Sequence, residues 1–147
     1  MSVDESSEAD EHGDDPVTRV LYIDDNYVNR RMFLHLLAHL DDVDIRHEGD
    51  PEAGIELAAS FHPHIVFVDY YLRYTTGAVV IQRLREIPSL ATMPIVVVSA
   101  DTSIASASDL FPDDPDLSYL SKPIDASRLA AHVGRAANHS ATSAPSP

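Results

Sequence analysis

From residue 17 onward the chain alternates short, continuous apolar runs with amphipathic stretches. Val20 to Ile23 is a β-branched and aromatic run closed by Asp24-Asp25, and behind it Met32, Phe33, Leu36, Leu37 and Leu40 recur at helical spacing from Tyr27. Strand then helix is predicted. Val43 to Glu48 predicts a second strand. Asp50-Pro51-Glu52 then supplies an N-cap, a proline suited to the first helical position and a first-turn acid, opening a helix with Ile55, Leu57, Ala58 and Ala59. Ile65 to Val68 is a third strand ending in Asp69. After a loop through Thr76-Gly77, Val80, Ile81 and Leu84 return at helical spacing up to Ile87-Pro88. Ile95 to Val98 predicts a fourth strand ending in Ser99, and Asp101 to Leu110 a weak, small-residue helix. Leu117 to Leu120 is a fifth strand ahead of Lys122-Pro123, and Asp125 caps a last helix running to about Asn138.

Five strand and helix pairs with continuous apolar strands predict an α/β fold, a doubly wound parallel sheet covered by helices on both faces. In such sheets the ligand site lies beyond the carboxyl ends of the strands. The residues with chemistry stand at those ends. Asp24 and Asp25 close the first strand and Asp69 the third. If these strands are neighbours, each like-charge pair costs ~4 kcal/mol at 4 Å and an effective dielectric of 20, so a cation is expected among them. An oxygen-rich set with few protein ligands suits Mg²⁺, which keeps waters and accepts phosphate oxygens. One acid after a strand is commonly just a helix N-cap; for three at one edge that explanation weakens.

Lys122 is the only lysine, the other nine basic residues being arginines. A compact ammonium at the end of the fifth strand suits a carboxylate or phosphoryl oxygen, and a cis Lys-Pro bond would aim it inward. Ser99 offers a hydroxyl to the same oxygens. His35 and His39 have metal-compatible spacing but no third ligand nearby. Neither a glycine-rich phosphate loop nor a hydrolase or zinc-protease motif is present.

The run Val20-Leu-Tyr-Ile-Asp-Asp25, Asp69, Ser99-Ala100 and Tyr119-x-x-Lys122-Pro123 resembles the receiver domains of two-component response regulators, over Val17 to about Asn138. Asp25-Asn26-Tyr27-Val28-Asn29-Arg30 is most similar to receivers of hybrid histidine kinases and single-domain regulators. The resemblance implies a flavodoxin-like sheet of order 2-1-3-4-5. It implies that Asp69 accepts a phosphoryl group, and that Asp25, Asp69 and the Tyr71 carbonyl ligate Mg²⁺ with Asp24 assisting. Ser99 and Lys122 would hold the phosphoryl oxygens. Tyr119 matches the switch aromatic, expected to turn as Ser99 moves. Tyr71 and Asp101, two positions after Asp69 and Ser99, would flank the path of hydrolytic water. One departure lies after Asp69, where Leu72-Arg73 and Thr76 replace the usual Met-Pro and acid before Gly77.

Composition adjusts this picture at the ends. Ser2 to Asp15 holds seven acids and no Lys or Arg, so of 24 acidic residues 17 remain against 10 basic ones, and half of the net −14 belongs to a leader too polar to fold. The expected division is an acidic leader over 1–16, a receiver domain over 17–138 and a frayed tail over 139–147. The residual acidity argues against direct nucleic-acid binding, although it would also suit a high-salt cytoplasm. The chain has no cysteine and no apolar run near membrane-spanning length, so a cytoplasmic protein without membrane insertion is expected.

The implied partner is a histidine kinase or histidine phosphotransfer protein, with output through protein contact. A phosphorelay intermediate or phosphate sink is the alternative. An aspartate-nucleophile phosphohydrolase would need an acid two residues after Asp69, where Tyr71 stands, and a receiver working without phosphate would not need the intact Asp25, Asp69 and Lys122. Catalysis is expected only on the chain's own aspartate.

Overall fold

The computed structural model describes residues 17–101 and 110–142. Along them run β1 (Thr18–Ile23), α1 (Tyr27–Leu36), β2 (Val43–Glu48), α2 (Pro51–Phe61), β3 (Ile65–Asp69) and α3 (Gly77–Arg85). A 3-10 turn (Pro88–Leu90), β4 (Ile95–Ser99), β5 (Leu117–Ser121) and α4 (Ala126–Thr142) follow. The acidic leader and, apart from its two end residues, the helix expected over Asp101–Leu110 lie outside the described residues.

The five strands form one sheet in the order β2-β1-β3-β4-β5, every neighbouring pair parallel. This is the expected flavodoxin-like order. Alternation along each strand sends side chains to opposite faces. Leu21, Ile23, Val66, Val68, Ile95 and Val97 meet α2 and α3 through Ile55, Ala58, Ile81 and Leu84. Val20, Tyr22, Phe67, Val96 and Val98 meet α1, the turn after it and α4 through Phe33, Leu37, Leu129 and Val133. Burial on both sides is why the inner strands read as unbroken apolar runs, while the edge strand β2 (VDIRHE) stays partly exposed.

The register sets the site. Ile23 pairs with Val68, which brings Asp24 beside Asp69, and Ser99 pairs with Ser121, which brings Lys122 to the same end. Asn26 caps α1 by accepting the Asn29 N–H at 3.0 Å. Asp50 caps α2 by accepting the Ala53 N–H at 3.1 Å. Gly77 opens α3 against the end of β3, where a Cβ would lie 2.7 Å from the Asp69 carbonyl oxygen and 2.9 Å from Tyr70 Cα. Only glycine permits that approach.

Two helix ends differ from the sequence pattern. Apolar spacing carries the first helix to Leu40, yet α1 stops at Leu36. Leu37 N–H is shared between the Phe33 and Leu34 carbonyls, and Leu40 N–H turns back to Leu37. Leu37 is nonetheless 1% exposed, so periodicity there reports burial rather than helix. The last helix runs past Asn138 to Thr142, over part of the expected tail, in a stretch without glycine or proline until Pro145.

Candidate functional site

Asp24 leaves β1 fully buried, its backbone N–H donating to the Glu48 carbonyl at 3.1 Å. Its Oδ1 accepts the Asn26 N–H at 2.9 Å; its Oδ2 accepts the Tyr22 hydroxyl at 2.5 Å and Asn29 Nδ2 at 3.1 Å. Asp69 ends β3 only 6% exposed. Lys122 Nζ lies between the two acids, 3.3 Å from Asp69 Oδ2 and 3.6 Å from Asp24 Oδ2. Its backbone N–H donates to the Ser99 carbonyl at 3.0 Å, and the Lys122–Pro123 bond is cis. Burial, and then the charge on Asp24, push the Asp69 carboxyl up to about 6; Lys122 and the Tyr71 N–H act the other way.

Asp25 takes a different path. Its Oδ2 accepts the backbone N–H of Arg73, so it faces the loop after β3. Among the described residues no three His, Asp or Glu side chains gather into a metal-spaced cluster. The Lys122 ammonium is the positive charge that this geometry places between Asp24 and Asp69.

Ser99 is 1% exposed and its Oγ accepts the Asp101 N–H at 2.9 Å. The Tyr119 hydroxyl is shared between the Ser99 carbonyl at 3.1 Å and the Asp101 carbonyl at 3.2 Å, and the side chain is partly buried. Tyr71 donates its hydroxyl to Asp101 Oδ2 across the mouth of the site while the ring stays largely exposed. Tyr71 also bridges to Thr76, closing the loop on itself.

Two residues of this end carry more than the sequence suggested. Tyr22 precedes Asp24 by two positions on a strand, and that shared face was the available signal. Arg30 donates from Nη1 to the Asp24 carbonyl at 2.7 Å and from Nε to His47 Nδ1 at 3.1 Å, joining the ends of β1 and β2. Accepting that bond requires an unprotonated His47 Nδ1, and burial together with Arg30 lowers the His47 pKa.

The profile of the response regulator receiver domain matches residues 20–134. The chain belongs to the response regulator receiver family. Receivers of this family are typically signalling domains of two-component systems. Among curated relatives, the DNA-binding dual master transcriptional regulator RpaA of Synechocystis is 28% identical over 78% of this chain and 47% of its own length. The polar-differentiation response regulator DivK of Brucella ovis is 27% identical over 75% of this chain and 88% of its own. The receiver thus spans about half of the first and nearly all of the second. Chemotaxis protein CheY4 of Vibrio cholerae superposes with a TM-score of 0.72 at 19% identity, covering 82% of this chain and 98% of that one, a likeness of fold. No described helix is long and apolar enough to cross a membrane.

Proposed function

We propose that this receiver takes a phosphoryl group on Asp69 from a phosphohistidine of a histidine kinase or histidine phosphotransfer protein, and signals through protein contacts. The observation that carries this is the buried Asp69 carboxylate at a strand end with the Lys122 ammonium 3.3 Å away. An Asp69 oxygen attacks phosphorus, the P–O bond forms as the P–N bond breaks, and the departing imidazole nitrogen keeps the electron pair. Lys122 then follows the new charge. Ser99 Oγ accepts from Asp101, which leaves its own O–H to donate to a phosphoryl oxygen. Because Tyr119 hangs on the Ser99 carbonyl, a shift of Ser99 reaches the ring and the surface around β5.

Receivers in general depend on Mg²⁺. Here Asp24, Asp25 and Asp69 bring three negative charges against one from Lys122, leaving −2, and the donors are all oxygen, which fits a small divalent ion. Asp25, Asp69 and the Tyr71 carbonyl would hold it. When bound, the ion neutralises charge on the transferring group.

A groove of about 430 Å³ opens beside Lys122, lined by Asn29, Met32 and Leu36 of α1 and by Pro123 and Ile124. It gives a donor protein an apolar seat next to the acceptor. Cytoplasmic residence goes with this role, and a cysteine-free chain suits that reducing compartment.

Incubation with acetyl phosphate and Mg²⁺ should add one acid-labile phosphoryl group, read by intact mass, and Asp69→Asn should abolish it. No adduct on the wild type, or an equal adduct on the variant, refutes Asp69 as acceptor.

A further inference from the structure

Tyr22 is fully buried in β1, its ring stacked on Phe33 with centroids 4.2 Å apart and planes at 19°. Nothing in a sheet strand requires a phenol there; an aliphatic side chain would fill the same face. Its hydroxyl instead meets Asp24 Oδ2 at 2.5 Å. A carboxylate offers about four lone-pair positions. On Asp24, Oδ1 accepts the Asn26 N–H, while Oδ2 accepts the Tyr22 hydroxyl and Asn29 Nδ2 and lies 3.6 Å from the Lys122 ammonium. The backbone is held as well, since Arg30 grips the Asp24 carbonyl at 2.7 Å. Asp25, one residue on, is partly exposed and has no such clamp; its recorded partner is the Arg73 N–H at the rim. The two adjacent acids are therefore not equivalent: Asp24 is fully buried among protein donors, most of them on Oδ2, and Asp25 opens outward.

We propose that Tyr22 and Asn29 hold Asp24 as a fixed counter-charge that aims Lys122 at Asp69, and so keep Asp24 out of the metal's ligand set. Tyr22 is then a positioning residue acting through Asp24. In its metal clause this rests on the Mg²⁺ site proposed above; in its lysine clause it does not.

Tyr22→Phe is the decisive variant, because it keeps the ring and its stack on Phe33 and removes only the O–H. The Mg²⁺ dissociation constant is read without any phosphodonor, from the Mg²⁺-dependent rise in melting temperature. If the hydroxyl clamps Asp24 away from the metal, its removal frees a lone pair, and Mg²⁺ binds as tightly as in the wild type or more tightly. The phosphorylation rate at saturating Mg²⁺ falls, because Lys122 has lost its aimed partner. If Asp24 were instead a ligand that Tyr22 orients, Mg²⁺ binding would weaken by roughly tenfold or more, and that result overturns the proposal. A second arm needs no metal. In EDTA, Tyr22→Phe and Lys122→Met are melted singly and together. Residues sharing Asp24 should show melting losses that do not add, and additive losses overturn the clamp. A wild type without any response to Mg²⁺ refutes the metal site of the preceding subsection; the metal-free cycle then decides the clamp by itself.

Discussion

At the scale of single residues, the hydroxyl of Tyr71 joins two loops that the strands leave apart. Tethered to Asp101, the ring is held beside the loop after β3 although it is 56% exposed, a position from which we expect it to shield Asp69. Tyr71→Ala should speed dephosphorylation by up to ~10-fold, equivalent to about 1.4 kcal/mol of barrier. Tyr71→Phe, which keeps the ring and loses the tether, should fall between. Phosphate-release kinetics in excess Mg²⁺ check this, and an unchanged or slower rate in the Ala variant refutes shielding. Asp69 itself carries a cost. A carboxyl raised from 3.8 to about 6 by burial and by Asp24 binds its proton more tightly folded than unfolded. The associated stability is fully present below about pH 4 and is lost as pH rises through about 6, by up to roughly 3 kcal/mol in metal-free protein. Melts in EDTA should therefore show Asp69→Asn more stable than the wild type at pH 7.5, with the gap closing by pH 4; a constant gap refutes the linkage. At this scale the sequence displayed residue types at strand ends but not where side chains turn. That Lys122 would stand at the same sheet edge as the acids was legible from its strand end, whereas its position between Asp24 and Asp69 and the turn of Asp25 toward Arg73 depend on side-chain and loop conformations that no periodicity encodes.

At the scale of elements, the strands were legible because burial on both faces leaves no polar position in Val66–Val68 or Val96–Val98, and a turn residue or acid closes each run. Helix ends were less so. Leu37 packs in the core from a turn, and core contact rather than hydrogen bonding is what apolar spacing reports. A long-range tie was invisible altogether. Arg85 at the end of α3 makes a two-pronged pair with Asp114 at 2.9 and 3.2 Å, and donates to the carbonyls of Leu90, Met93 and Asp116. Both charged side chains are only 15% exposed. One guanidinium thus fastens α3, the 3-10 turn and the approach to β5, holding the strand that delivers Lys122. Arg85→Ala strands Asp114 and frees three carbonyls, and should cost about 2–4 kcal/mol in urea unfolding. Arg85→Lys, lacking the planar fork, should recover less than half of that. A loss under about 0.5 kcal/mol in the Ala variant would mean the tie is a surface pair of little worth.

At the scale of the whole molecule, the charge is unevenly distributed along the sequence. Among the described residues, both apolar clusters are built from Val20 onward. The leader holds seven of the 24 acids and none of the ten basic residues, so that removing Ser2 to Asp15 takes the net charge from −14 to −7. Two effects then compete. Any packing of the leader on the domain would be lost, but so few apolar residues offer little to lose. Self-repulsion would be relieved, a term that matters at low ionic strength and fades as salt shortens the screening length from ~30 Å at 0.01 M to ~8 Å at 0.15 M. We expect the second to be the larger where salt is low. The truncated chain should melt within about 2 °C of the full chain at 0.15 M salt, the range of a surface change, and slightly above it at 0.01 M. Phosphorylation by acetyl phosphate should proceed at the same rate in both. Thermal melts at the two salt concentrations check it. A drop of several degrees on truncation, or a loss of Mg²⁺-dependent phosphorylation, would show that the leader docks on the domain and that its acidity is part of the site's electrostatics.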